Sequence, residues 1–306
     1  MNRSASGLGL LIVIVMIGAL FMVFIDNSKA AGSPKQLREL TATELGKIEK
    51  ALPAEAKAKP AKPRKILVFW LCNGYFHENI PVANKALELM GKKTGAFDVV
   101  FSDDMNVFDA GKLAEFDAVV FNNTTKLEFN EPSRKQALMD FVKGGKGIIG
   151  IHAATDNFYT WPEAAEMMGG TFDAHPWTAG GTWAIKNADT NHPLNSAFKG
   201  EGFKVKDEIY RQKMLKLREN CRVILTLNLD DPATKNATGV QESDRDMPVS
   251  WIRNYERGRL FYCGLGHNNE IFYHPAILQH YLDGIQFALG DLAVNATPVA
   301  KSSEQK

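Results

Sequence analysis

The stretch KGIIGIHAATD, residues 146–156, decides the fold. Lys146 to Ile151 is a short apolar run of strand length, set off by Gly144 and Gly145, which end the helical pattern before it. A continuous apolar run of this kind belongs to a strand covered on both faces, as in a parallel sheet between two helical layers. His152 follows at once, on the short connection into Ala153-Ala154-Thr155-Asp156. In α/β sheets that corner is a sharp strand-to-helix turn that presents a reactive side chain. Here it presents an imidazole. With no Ser or Cys at the corner, acyl-enzyme chemistry lacks its attacking atom. A lone pair aimed at a pocket suits a general base or a metal ligand instead.

Outward from this strand the pattern repeats. Lys65 to Leu71 (KILVFWL) is another apolar strand, and Pro81 to Lys93 then sets Ala83, Leu87 and Met90 on one helical face. Phe97 to Phe101 and Asp117 to Asn122 read as further strands; Pro132 opens a helix with Ala137, Leu138, Phe141 and Val142 in one stripe. Strand and helix in alternation predict an α/β domain with a doubly wound, mostly parallel sheet. The C-terminal half differs: Thr182 to Ile185, Val223 to Leu227, Val249 to Tyr255 and Arg259 to Cys263 are closely spaced strands, which predicts antiparallel additions. A helix from Pro275 to Leu289 closes the domain, and residues 293–306 read as a polar tail.

The N-terminus reads differently. From Gly7 to Ile25 every residue is apolar or Gly, with Arg3 the only charge ahead of it, so residues 1–30 are expected to be a signal peptide or an N-terminal membrane anchor. Ser28-Lys29-Ala30 suits cleavage, whereas the length of the apolar run suits an uncleaved transmembrane helix; either way the domain at 64–292 is extracytoplasmic, that is periplasmic, secreted or anchored. Residues 31–63, rich in Ala, Lys and Pro, read as a tether with a short solvated helix near Thr43 to Leu52. Lys plus Arg total 36 against 35 Asp plus Glu, so there is no basic excess for nucleic acid, and none is expected as a partner. Cys72, Cys221 and Cys263 form no C-x-x-C and read as structural thiols. Composition says nothing about oligomeric state.

Ligands of open parallel sheets bind beyond the carboxyl ends of the strands. His77 and Glu78 follow the first strand, His152 and Asp156 the central one, and His267 the penultimate one, so three histidines from three strands are expected on one rim. Each alone is more often a hydrogen-bonded structural residue; their convergence is what a catalytic or metal site needs. His175, in the loop-like GGTFDAHP, is a further pocket candidate. Asp207-Glu208-Ile209-Tyr210 offers two acids beside an aromatic, able to orient an imidazole, join a metal or hold sugar hydroxyls, or else a plain strand edge. Trp161, Trp177 and Trp183 suit stacking on a sugar ring as well as core packing.

In chain order, GYFHE, GIHAATD, GGTFDAHP, NHPL, DEIY, PVSW and GRLFYCGLGH resemble the ThuA-like (trehalose utilisation) family from about residue 65 to 290. The resemblance implies a flavodoxin-like sandwich of the class I glutamine amidotransferase type. It puts His152 in the corner where those enzymes carry cysteine, and His267 near the place of their active-site histidine. It also implies carbohydrate metabolism, in particular a disaccharide such as trehalose or its 3-keto form. One departure is Cys72-Asn73-Gly74, where members commonly carry a Thr-His or Ser-His segment.

The resulting expectation is a keto-sugar isomerase or lyase, not a glutamine amidotransferase. His152, His77 and His267 move a proton beside a carbonyl, and Glu78, Asp156, His175, Glu208, Tyr210 and Trp177 bind substrate. A divalent metal such as zinc on His152, His267 and Glu208 is an optional addition, since the histidines lack a local H-x-x-x-H spacing. The rival is a noncatalytic sugar-binding or scaffold module on the same fold.

Overall fold

The computed structural model describes residues 37–214 and 216–299. The apolar run at 7–25, the first residues of the tether and the end of the polar tail lie outside them. Among the described residues no helix is long and apolar enough to cross a membrane.

The strands are β1 (Lys65–Phe69), β2 (Asp98–Ser102), β3 (Ala118–Asn122), β4 (Gly147–Ile151), β5 (Gly170–Trp177), β6 (Thr182–Asn187), β7 (Phe203–Lys206), β8 (Ile209–Met214), β9 (Arg222–Leu227), β10 (Pro248–Tyr255) and β11 (Gly258–Cys263). Nine of them form one sheet in the order β2-β1-β3-β4-β11-β10-β9-β6-β7, and β5 pairs with β8 in a separate ribbon. From β2 to β11 all neighbours are parallel. From β11 to β7 they are antiparallel. The doubly wound sheet with antiparallel additions is therefore present as expected.

Alternation along the strands divides the core in two. Ile66, Val68, Val120, Ile149 and Phe261 face the helices Ile80–Thr94 and Pro275–Leu289. Leu67, Phe69, Val119, Phe121, Ile148 and Leu260 face the helices Pro132–Lys143 and Pro162–Met168. Each such large side chain, removed from water, stabilises the fold by roughly 1.5–3 kcal/mol. Gly147 lets the last helix sit close: a Cβ there would lie 2.6 Å from the Ala288 carbonyl oxygen.

Two stretches expected to be loose are packed where they are described. The helix Ala42–Ala51 opens with a capping box between Thr41 and Glu44, and it buries Ile48 and Ala51 rather than standing free in water. Beyond it, Lys57 pairs with Asp283 at 2.5 Å and Arg64 with Asp291 at 2.5 Å, which holds the Pro-rich segment along the last helix. In the tail, His192 Nε2 donates to the Asn295 carbonyl and Ala296 is buried. Apolar side chains spaced too sparsely to show a period still find a core to enter.

Candidate functional site

β1, β4 and β11 run in one direction and end at one edge of the sheet. His77 lies in the loop after β1, His152 directly after β4, and His267 in the turn after β11. The three rings meet there. Their centroids stand 5.0 Å (His77–His152), 5.0 Å (His77–His267) and 5.3 Å (His152–His267) apart, with planes nearly perpendicular.

Local backbone explains the convergence. His152 has φ +44°, so the chain turns sharply out of β4 into the 3-10 turn His152–Thr155 and aims the imidazole at the edge. Tyr262 donates its hydroxyl to the His152 carbonyl at 2.6 Å, fixing that corner from the neighbouring strand. Gly266 has φ +147°, a conformation L side chains rarely adopt, and its carbonyl accepts from Asn79 and Asn123. The loops after β1, β3 and β11 are thereby tied together.

Glu208, immediately before β8, completes the group. His152 Nδ1 lies 3.0 Å from the Gly264 carbonyl, which can only accept, so the proton sits on Nδ1 and Nε2 offers its lone pair. That Nε2 lies 3.3 Å from His267 Nδ1 and 3.6 Å from Glu208 Oε1, and His267 Nδ1 is also 3.3 Å from Oε1. His77 is buried, and neither of its ring nitrogens has a hydrogen-bond partner. One donor atom from each of His77, His152, Glu208 and His267 fits within a 4.8 Å span. Donors of a tetrahedral zinc ion lie about 3.3 Å apart, close to the separations among His152 Nε2, His267 Nδ1 and Glu208 Oε1. The orphaned imidazole of His77 is the group a cation would satisfy, and the donor set fits a divalent metal.

Electrostatics agree with the packing. Burial pushes His77 down to about 2, reinforced by His152 and His267. Burial alone would raise Glu208, but the imidazoles of His152 and His267 outweigh it and hold its carboxyl well below the usual range. His267 is raised: burial opposes its cation, and Glu208 with Asp207 overcomes that. Burial carries Asp207 up to about 6 against the pull of His152 and the backbone N–H groups it accepts.

The other expected residues divide. Tyr210 packs its ring 4.5 Å from that of His152, and His175 Nδ1 lies 3.5 Å from Glu208 Oε2 on the solvent side. Asp156 is held at the rim by Lys126 at 3.0 Å and by the Tyr159 hydroxyl. Glu78 is exposed and its field falls on Arg38, so it stands apart from the cluster. Trp177 corrects the expectation of sugar stacking: it is sealed in the core with Nε1 donating to the Thr234 carbonyl. Trp161 and Trp183 are buried likewise, because large aromatic area is worth more in the core than at a wet rim. Cys221 and Cys263 are buried thiols, each pushed by burial up to about 12.

The sequence left one pair of acids undistinguished and passed over one aromatic. Asp207 looked equivalent to Glu208, yet it turns inward and accepts backbone N–H groups. Tyr75, exposed at 62%, stacks over His267 with centroids 6.1 Å apart; its signal was an aromatic two residues before His77 in a Gly-led loop.

A family model described as ThuA, trehalose utilisation, matches residues 65–288. Among solved structures the chain is similar to a ThuA-like protein from Bacteroides uniformis, at 19% identity and TM-score 0.61, over 76% of this chain and 94% of that one. It is similar also to a ThuA-like protein from Parabacteroides merdae, at 20% identity and TM-score 0.58, over 76% of this chain and 92% of that one. At such identities these structures speak for the fold alone. No curated protein matches the chain in sequence.

Proposed function

Because this chain belongs to the ThuA family of trehalose utilisation, we propose that it is a metal-assisted enzyme that moves a proton beside the carbonyl of an oxidised sugar, in the manner of an isomerase or lyase. One observation carries the reading: four side chains from four separate segments converge on one point, where the ring nitrogens of buried His77 have no hydrogen-bond partner and Nε2 of His152 turns its lone pair toward His267 and Glu208. In this reading His77, His152, His267 and Glu208 hold a divalent ion of the zinc class. Such an ion, when bound, polarises a carbonyl oxygen and acidifies the neighbouring C–H.

The chain's own residues supply the rest. His175 lies on the open side, its Nδ1 3.5 Å from Glu208 Oε2, and is the proposed proton carrier; a positioned base typically contributes about 10²- to 10⁴-fold. Tyr210 walls the site against His152, and Asp156, fixed by Lys126, accepts a hydroxyl of the substrate. The apolar run at 7–25 supports an extracytoplasmic setting, as a signal peptide or an anchor.

Elemental analysis of zinc-loaded protein, together with deuterium exchange into 3-keto-trehalose in heavy water, tests the proposal. Replacing His77, His152 or His267 with Ala should lower zinc affinity at least tenfold. His175→Ala should keep the zinc and lose most of the exchange. Full zinc binding in a His152→Ala variant that has lost exchange would make His152 the base rather than a ligand. Wild-type protein that takes up no metal and exchanges no proton overturns the reading.

A further inference from the structure

The two outermost strands of the nine-stranded sheet are built differently. β7 carries exposed Lys204 and Lys206, the kind of charge that keeps an open strand from pairing with another chain. β2, at the opposite end, is Asp98-Val99-Val100-Phe101-Ser102, with no lysine, proline or bulge. Val100 and Phe101 are 36% and 39% exposed, among the few large apolar side chains left in water by the described residues. Phe101 also lines a groove of about 590 Å³ together with Leu37, Leu40, Trp70 and Pro81, so the open apolar surface extends beyond the strand.

Hydrogen bonds fix which backbone groups of β2 are free. The Asp98 N–H donates to the Arg64 carbonyl, and the Ser102 carbonyl accepts from the Trp70 N–H, so residues 98, 100 and 102 turn their backbone groups toward β1. By alternation Val99 and Phe101 turn theirs outward. A second copy running antiparallel about a two-fold axis at Val100 matches these groups. Val99 of each copy then lies opposite Phe101 of the other and exchanges N–H and C=O bonds with it, while Val100 meets its own counterpart as the close, non-bonded pair. Side chains agree with this register. Val99 packs toward the helix Ile80–Thr94, Phe101 shares its face, and the two meet across the axis, while Asp98 meets Ser102. Charge selects the same direction. The last turn of that helix, which leads into β2, carries exposed Lys92 and Lys93, and β2 leads out into Asp103 and Asp104. Antiparallel copies bring the acidic end of each to the basic end of the other, whereas parallel copies would set like charges together.

We propose that β2 is the interface between two copies of this chain, joined antiparallel with Val100 on the two-fold axis, so that one sheet runs unbroken through both. The occupant of the open strand is thus the same strand of a second copy, and Val99 of that copy borders the groove beside Phe101.

The test uses the full chain in non-ionic detergent. Val100→Cys under mild oxidation should give a disulfide-linked dimer on a non-reducing gel, because facing residues of a non-bonded pair lie about 4.5 Å apart at Cα, within disulfide reach. Asp98→Cys alone should give about tenfold less, its two copies lying about 14 Å apart along the strands, but should link to Ser102→Cys when the two variants are mixed. The wild type controls for the partly exposed Cys72. Sedimentation equilibrium at matched density should show a wild-type dimer, and Val100→Lys, which sets two ammonium groups face to face, should raise its dissociation constant about tenfold or more with the melting temperature unchanged. Equal cross-linking of Val100→Cys and Asp98→Cys marks random collision, and a dimer that survives Val100→Lys marks a meeting of the copies elsewhere; either overturns the proposal. So does a monomeric wild type with no Val100 cross-link, which leaves the open strand to another protein or to residues 1–36 of this chain.

Discussion

Asp207 holds His267 by the backbone, not by the ring: its Oδ1 accepts the N–H of His267 at 3.0 Å and of Asn268 at 2.7 Å, and its Oδ2 accepts that of Gly266 at 2.7 Å. A fully buried carboxylate thus shapes the turn that carries one of the clustered imidazoles, while its neighbour Glu208 faces the imidazoles directly. Asp207→Asn keeps the volume, but its NH2 meets backbone N–H groups head on. The loss of charged hydrogen bonds should destabilise the protein by about 2–3 kcal/mol in urea unfolding. Zinc affinity should fall about 10- to 100-fold, as expected for a group that orients a ligand without touching the metal. Unchanged zinc affinity in this variant would show that the turn holds its shape unaided.

Lys57 is the main clasp between the N-terminal segment and the last helix. Its ammonium reaches Asp283 Oδ2, the Pro193 carbonyl and Ser196, and the Asp283 side chain is wholly buried. Lys57→Ala strands that carboxylate, so urea unfolding at pH 8 should report a loss of about 2–3 kcal/mol, below the full value for a buried pair because the lysine is partly exposed. Burial already raises the pKa of Asp283, and removing the cation raises it further. As pH falls from 8 to 5 a growing share of that acid is protonated and needs no counter-ion, so the penalty should shrink. An equal penalty at both pH values would assign the effect to packing alone.

Much of this could be read from residue order, for physical reasons. β1, β4 and β11 are buried on both faces almost throughout, so they appear as apolar runs, and their shared direction put His77, His152 and His267 on one rim. β5 and β8 did not appear. Their pairing slips at Phe172/Ala174 and Ala174/Trp177, and Pro176 and several polar side chains hide the strand pattern, so GGTFDAHP looked like a loop. Which of two adjacent acids turns inward is decided by partners at residues 266–268, some sixty positions away, and no local pattern carries that. Trp177 suited either a sugar or the core for a similar reason: the partner of its Nε1, the Thr234 carbonyl, lies on a distant segment.

Tyr75 stands at the mouth of the cluster. Its ring lies nearly parallel to that of His267, at 20°, and edge-on to His77, yet it is 62% exposed and so contributes little to folding. An exposed aromatic over a polar site offers a stacking face of about 0.5–1.5 kcal/mol. Tyr75→Ala should raise KM for the keto-sugar about two- to tenfold with the melting temperature unchanged, and Tyr75→Phe should restore KM. A fall in kcat with constant KM would mean the ring acts on the chemistry instead.

His280, on the last helix, sets an acid limit on stability. It is fully buried, with Nδ1 2.9 Å from the Leu194 carbonyl and Nε2 2.9 Å from Ser250 Oγ, two neutral partners, so a second proton would place an uncompensated charge in the core. Burial, the largest cause, lowers its pKa from 6.5 to about 4. The sign follows from proton counting. Between those values the unfolded chain takes up a proton that the native state refuses, so stability is full above pH 6.5 and drains as pH falls toward 4. A shift of this size amounts to roughly 3 kcal/mol. His280→Gln starts from a lower stability but should lack this component, so urea curves for the two proteins should draw together by about that amount between pH 7 and pH 4. Parallel losses in both would move the acid sensitivity to another buried group, with His77 the first to examine.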